Sequence, residues 1–195
     1  MVLDLNGLLV HRSFNELNNR VLTIRPDAVR FVDWLHRNVT LSFWSTMNSR
    51  NVTAVLNQFL SSASFKAKDV TVLTQEECTR STYTDPRRRE KPYFLKDLKY
   101  FVRLLRLGTA ENVLLVDDDP LRNLCNDGFN GIFPRTWFGD MRNQYIAGSL
   151  WPWMSALFKS QETVPAYVRS HPLHHSQRPE DPLSRPGCDI LRSAM

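Results

Sequence analysis

MVLDLNGLLV, residues 1–10, is the stretch whose reading decides the fold. Its apolar run is broken by Asn6-Gly7, a turn signal, so it reads as a buried strand that ends in a tight turn. Asp4 and Asn6 then stand at that strand's carboxyl end. Three more runs of this kind follow. Residues 40–44 (TLSFW) are β-branched or aromatic and end at Ser45; residues 70–73 (VTVL) are short; residues 112–116 (NVLLV) end in Asp117-Asp118-Asp119. Residues 131–133 offer a fifth strand. Helical patterns separate these strands. One opens at Arg25-Pro26-Asp27 and runs to His36, and a second covers residues 49–60 with Val52, Val55, Leu56 and Phe59 on one face. A third covers residues 94–107 and stops at Gly108, and a fourth covers 149–158, where Pro152 interrupts it. Alternating strands and helices predict an α/β fold with a central parallel sheet flanked by helices on both faces. The polar stretch 75–91, with Pro86 and Arg87-Arg88-Arg89, reads as an exposed loop or a small inserted hairpin.

The bulk numbers agree with one sizeable core. The chain has 195 residues, 42% of them hydrophobic. Its net charge of +5 favours an acidic partner, such as a phosphorylated protein segment. The basic residues are scattered, so no direct nucleic-acid binding is expected. Three widely spaced cysteines without a C-x-x-C pair suggest neither a zinc site nor a disulfide framework, and point to a reducing compartment. No apolar run is long enough to span a membrane. After about Lys159 the prolines at 165, 172, 179, 182 and 186 punctuate a polar stretch. The expected organisation is therefore a domain over residues 1–158 and a Pro-rich, disordered tail over 159–195. His171, His174 and His175 lie in that tail and read as unstructured rather than metal-binding.

In an open parallel sheet, ligands bind outside the carboxyl ends of the strands. Asp4 and Asn6, Ser45, and Asp117 to Asp119 are predicted at such ends, with Lys96 on the third helix. Carboxylates for a hard cation, a hydroxyl donor and an ammonium in one place suit phosphoryl transfer, in which spreading negative charge must be held.

These clusters, in this order, resemble the four motifs of the haloacid-dehalogenase (HAD) phosphatases of the FCP/SCP branch. Asp4-Leu5-Asn6-Gly7-Leu8-Leu9-Val10 resembles the first, usually Asp-x-Asp-x-Thr/Val. Ser45 in FWSTMNSRNV resembles the second, Lys96 in KPYFLKDL the third, and Asp117-Asp118 in NVLLVDDDP the fourth. The Arg25-Pro26 pair also fits, and the Asp-x-Asn-Gly form is similar to plant FCP-like domains. The resemblance implies a three-layer HAD-like Rossmannoid fold with a small insert between the second and third motifs. It implies a Mg²⁺-dependent protein serine/threonine phosphatase acting on phosphorylated segments. Asp4 would be the nucleophile, and Asp4, Asp118 and the Asn6 carbonyl would ligate the metal. Ser45 and Lys96 would bind phosphate, and Asp117 would position Lys96.

The departures lie at Asn6, Leu8 and Asp119. The family's second Asp supplies a backbone carbonyl to the metal and a side-chain proton to the leaving oxygen. Asn6 keeps only the carbonyl. General acid–base catalysis is typically worth about 10²–10⁴ in rate, so the resemblance implies a weak or inactive enzyme. Two rival readings stay open: a pseudophosphatase that binds phosphopeptides or other proteins, and a receptor-like subunit of the mitochondrial import translocase. A nuclear or cytoplasmic location goes with the phosphatase. The mitochondrial inner membrane goes with the receptor, if a segment preceding Met1 is missing.

Overall fold

The computed structural model describes residues 1–85, 88–173 and 176–177. In chain order the strands are β1 (Val2–Leu3), β2 (Val10–Phe14), β3 (Arg20–Ile24), β4 (Ser42–Trp44), β5 (Thr71–Leu73), β6 (Thr79–Asp85), β7 (Arg88–Leu95), β8 (Leu115–Val116), β9 (Gly131–Pro134) and β10 (Ser176–Gln177). The α-helices are α1 (Ala28–Asn38), α2 (Ser49–Phe59), α3 (Leu98–Leu105), α4 (Trp151–Lys159) and α5 (Val164–Ser170).

The central sheet runs in the order β10-β9-β8-β1-β4-β5, and all its pairings are parallel except β10 on β9. Successive residues of each strand face opposite sides. Leu3, Phe43 and Val116 enter one apolar cluster with α1, α2 and α4, whereas Val2, Trp44 and Leu115 enter another with Leu98, Phe101 and Val102 of α3. Both faces are therefore covered, which makes three layers and leaves only the strand ends for a site. Trp44 is fully buried and stacks on Phe101 with ring centroids 5.9 Å apart, so it packs the core.

Two hairpins leave the sheet. β2 and β3 pair antiparallel directly after the Asn6-Gly7 turn, with Val10 opposite Ile24 at the base and Phe14 opposite Arg20 at the tip. β6 and β7 form the second hairpin, so the insert expected over 75–91 is a hairpin that extends to Leu95. Pro86 and Arg87 lie outside the described residues.

Three expectations are corrected. The third helix begins at Leu98 rather than at residue 94, because Phe94 and Leu95 pair with Arg80 and Thr79. The Asp97 side chain then accepts the Lys99 and Tyr100 N–H groups as an N-cap. Lys96 therefore lies between strand and helix, not on the helix. Pro152 does not interrupt the last predicted helix. It sits in the first turn of α4, directly after a π-helical turn over Ile146–Leu150, so its missing N–H falls where the hydrogen-bond ladder is already widened. The chain beyond Lys159 is folded further than composition suggested. Tyr167 of α5 and Leu173 are buried against the main core, the Arg169 guanidinium lies 4.5 Å from the Phe129 ring centroid, and β10 adds to the sheet edge. Pro165 sits in the first turn of α5, a position that favours proline. His171 stacks on Tyr167 at 4.3 Å. His174, His175 and residues 178–195 lie outside the described residues.

Candidate active site

Strand register brings the sequence-distant acids together. The Asp4 N–H donates to the Val116 carbonyl, and Leu3 pairs with both Val116 and Phe43. Asp4, Asp117 and Ser45 thus follow three adjacent parallel strands at the same end of the sheet. A carboxylate oxygen from each of Asp4, Asp117 and Asp118 lies within 4.8 Å of the others.

Lys96 reaches this group from the insert side. Its side chain is completely buried, and its Nζ donates to Asp4 Oδ1 at 2.7 Å and to Asp117 Oδ2 at 2.6 Å. Burial alone would lower the lysine pKa, but Asp117 and Asp4 more than offset it, so the ammonium is held above its ordinary value. The backbone at Lys96 is clamped as well. Its N–H donates to the Arg122 carbonyl at 2.8 Å, and its carbonyl accepts from Asn126 Nδ2 at 2.7 Å. Asn126 Oδ1 accepts the Leu98 N–H at the start of α3. Arg122 donates to the Phe94 carbonyl, lies 4.3 Å from the Tyr93 ring centroid and pairs with Asp119, which also accepts from the Tyr93 hydroxyl. Sequence reading missed Arg122, Asn126 and Tyr93. Arg122 and Asn126 hold Lys96 through its backbone atoms, and Tyr93 braces Arg122; such contacts leave no residue-type pattern in a sequence.

The carboxylates carry unrelieved repulsion. Asp4 is pushed up to about 6, chiefly by burial and further by Asp117, although Lys96 pulls the other way. Asp118 is raised well above the usual carboxylate range by burial and then by Asp117 and Asp4, against a hydrogen bond with Thr136. Lys96 pairs with Asp4 and Asp117, and a divalent cation at the oxygens of all three acids would relieve the remaining repulsion. Asp117 is the least suited to ligate it, because Oδ2 is bonded to Lys96 and Oδ1 accepts the Asp119 N–H at 2.9 Å. Asp4 and Asp118 are the better pair. All three are hard oxygen donors, which suits Mg²⁺ rather than a soft metal.

Gly7 explains how Asp118 fits. Its φ is +89°, and an added Cβ would lie 2.2 Å from Asp118 Oδ2. The first-motif turn therefore requires glycine for its left-handed backbone and again for the approach of the carboxyl. The Gly7 carbonyl accepts the Trp137 N–H at 2.8 Å, which ties the turn to the segment after β9. Asn6 is exposed beside it. Ser45 is buried to 2% exposure; its N–H donates to Leu73, and its hydroxyl accepts the Met47 N–H at 3.4 Å. Arg25 is buried too. It donates to the Leu8 carbonyl and twice to Asn143 Oδ1, and its guanidinium lies near the Trp137 and Tyr145 rings. It anchors the first-motif loop to the 137–145 segment, and the charge of Asp118 also acts on it.

A buried lysine thus bridges two strand-end aspartates, and a third aspartate folds over a left-handed glycine. The model of one family, NLI interacting factor-like phosphatase, matches residues 1–164. The chain belongs to the NLI interacting factor-like phosphatase family. It is an FCP-type protein phosphatase domain of the HAD superfamily. No curated protein matches the chain. Among solved structures, the fission yeast RNA polymerase II CTD phosphatase Fcp1, a variant bound to beryllium fluoride, is similar at 11% identity and a TM-score of 0.49. That comparison covers 98% of this chain and 61% of the other. A second structure, of Fcp1 described as an essential RNA polymerase II CTD phosphatase, gives 12% identity and a TM-score of 0.49, covering 98% and 60%. The chain spans about three fifths of the length of these structures.

Proposed function

We propose that this phosphatase-family domain hydrolyses phosphoserine or phosphothreonine in protein segments through an aspartyl-phosphate, slowly because Asn6 stands at the general-acid position. The Lys96 bridge between Asp4 and Asp117 carries the reading. It presents Asp4 as a carboxylate next to a buried cation, the setting a nucleophile needs to meet an anionic phosphate. Asp4 attacks phosphorus, the bond from phosphorus to the seryl oxygen breaks, and that oxygen takes a proton from water. Water then cleaves the aspartyl-phosphate, which returns Asp4 and releases phosphate. Ser45 donates to a phosphate oxygen, Lys96 balances the phosphate charge, and Asp117 positions Lys96. Mg²⁺, held by Asp4, Asp118 and the Asn6 carbonyl, supplies neutralisation of phosphate charge when bound. Asn6 has no ionisable group with which to protonate the leaving oxygen or activate water. A nuclear or cytoplasmic setting suits this chemistry, and no helix among the described residues is long and apolar enough to cross a membrane.

The test is turnover with Mg²⁺ on an aryl phosphate and on a phosphoserine peptide, with Asp4→Asn as the inactive control. A seryl alkoxide needs the proton that an aryl oxide hardly needs. Asn6→Asp should therefore raise phosphoserine turnover by up to about 10²–10⁴, and more than it raises aryl phosphate turnover. Equal gains would sink the leaving-group argument. No gain on either substrate would favour the pseudophosphatase, which binds and does not cleave. No observation favours the mitochondrial-import reading.

A further inference from the structure

The β2–β3 hairpin carries two arginines on the side that faces the core. Strand pairing sets Arg12 opposite Leu22 and Phe14 opposite Arg20, so Val10, Arg12, Phe14, Arg20, Leu22 and Ile24 share one face. Near the base this face is apolar and packs into the main cluster. Towards the tip the core ends, and Arg12 and Arg20 take the positions diagonal to one another, within reach of long side chains. They lie over the loop that follows Ser45. Arg12 Nη1 donates to the Met47 sulfur at 2.7 Å, and the Met47 N–H donates to Ser45 Oγ. Arg20 Nη1 donates to Asn51 Oδ1 at 3.4 Å, in the first turn of α2.

Both partners are neutral. Among the described residues, neither arginine is ion-paired with an acid, and Glu16 in the hairpin turn is exposed and pairs with neither. The first turn of α2 contains no acidic residue and contributes Arg50. Two guanidiniums held side by side repel one another, and burial lowers the Arg12 pKa, with Arg20 adding to the effect. A fold gains nothing from such a pair by itself. An anion between them would remove the repulsion and accept the forked donors that a thioether and an amide leave unfilled. These cations lie between the hairpin tip and the N-terminus of α2, which begins four residues after Ser45.

We propose that Arg12 and Arg20 bind a second anionic group of the substrate segment, a phosphate or a carboxylate a few residues from the phosphoserine that reaches Asp4. The inference rests on the phosphatase reading for the position of the first phosphate. It selects multiply phosphorylated or acid-flanked segments over isolated phosphoserines. An extended chain covers about 3.3–3.6 Å per residue, so a spacing of two to four residues suits a subsite next to the Ser45 loop.

The experiment measures binding to the wild-type chain by fluorescence anisotropy and does not depend on turnover. The probes are peptides carrying one phosphoserine, the same phosphoserine with a second one two, three or four residues away on either side, and the same set with Asp as the second acid. A single-stranded oligonucleotide of equal charge serves as a polyanion control. The second phosphate should tighten binding by about tenfold at one preferred spacing, and Asp by less. Arg12→Gln with Arg20→Gln should abolish that gain and spare the singly phosphorylated peptide. Arg20→Gln alone, at an exposed position, should remove about half of the gain on a free-energy scale, so the inference does not hang on one variant's folding. A gain that survives both variants, a gain that is equal at every spacing, a peptide series without measurable binding, or an oligonucleotide bound as tightly as the best peptide would each overturn it. Failure of the Asn6→Asp rescue would instead strike the catalytic reading and leave this comparison standing.

Discussion

Lys96→Met isolates the electrostatics of the site. The substitution keeps most of the length of the side chain and removes the lysine that Asp4 and Asp117 share, beside a third acid at Asp118. Nζ gives hydrogen bonds of 2.7 and 2.6 Å to Asp4 and Asp117, and both the lysine and Asp117 are buried to within 2%. Breaking a buried pair by removing one partner costs about 3–5 kcal/mol, because the uncompensated charge stays behind. For a domain of this size each kcal/mol shifts Tm by about 2–4 °C. At pH 8 in a chelator, Lys96→Met should therefore melt about 6–20 °C below wild type.

The loss should depend on pH, in a direction set by Asp4. In the wild type Asp4 titrates near 6 in the folded state and near 3.8 when unfolded, so the native state binds more protons between these values. Stability from this group is fully present below about pH 4 and declines as pH rises through 6. Removal of Lys96 raises the folded pKa of Asp4 further, which makes the variant's decline longer and steeper. At pH 5 the orphaned carboxyls take up protons and the gap between the two proteins should shrink by at least half. Asp4→Asn added to Lys96→Met should recover part of the loss at pH 8. Calorimetric melts at pH 5, 6.5 and 8 decide the matter. An equal gap at all three pH values, or no recovery in the double variant, would show that packing around the aliphatic stem carries the loss.

Gly7→Ala should destabilise the chain by about 1–3 kcal/mol, since it adds a Cβ to a backbone at φ +89° and drives it against Asp118; a melt within 1 °C of wild type would contradict the close packing. Mg²⁺ should raise the Tm of wild type and not that of Asp118→Ala, and its apparent affinity should climb from pH 5 to 7.5 as Asp4, at about 6, loses its proton. Isothermal titration at three pH values reads this, and a flat profile would refute it. Truncation after Lys159 should lower Tm by about 5–10 °C, because it exposes the surface that covers Tyr167 and Leu173; an unchanged melt would restore the expected boundary at 158.

Much of the molecule was legible in the chain because strand ends are written locally. An apolar run followed by Asn6-Gly7, by Ser45 or by Asp117-Asp118 shows at once a buried strand and a polar tip. Alternating strands and helices admit few topologies. The third helix misled because Phe94 and Leu95 are as suited to a strand as to a helix, and only pairing with Arg80 and Thr79 chose between them. Pro152 and Pro165 read as breaks because periodicity cannot tell a first helical turn from a later one.

The residue types of the candidate site were legible in the sequence: Asp4, Ser45, Lys96, Asp117 and Asp118 at strand ends or beside them, and Asn6 where the family resemblance leads one to expect a proton donor. Tertiary structure decided how they meet. Register placed Asp4 beside Asp117, the Arg122 and Asn126 backbone contacts aimed Lys96 between them, and the missing Cβ of Gly7 admitted Asp118. It also drew Arg12 and Arg20 onto one hairpin face, where neither is ion-paired with an acid among the described residues. These outcomes depend on distances between residues tens of positions apart, and a linear pattern carries no term for such distances until the chain has closed on itself.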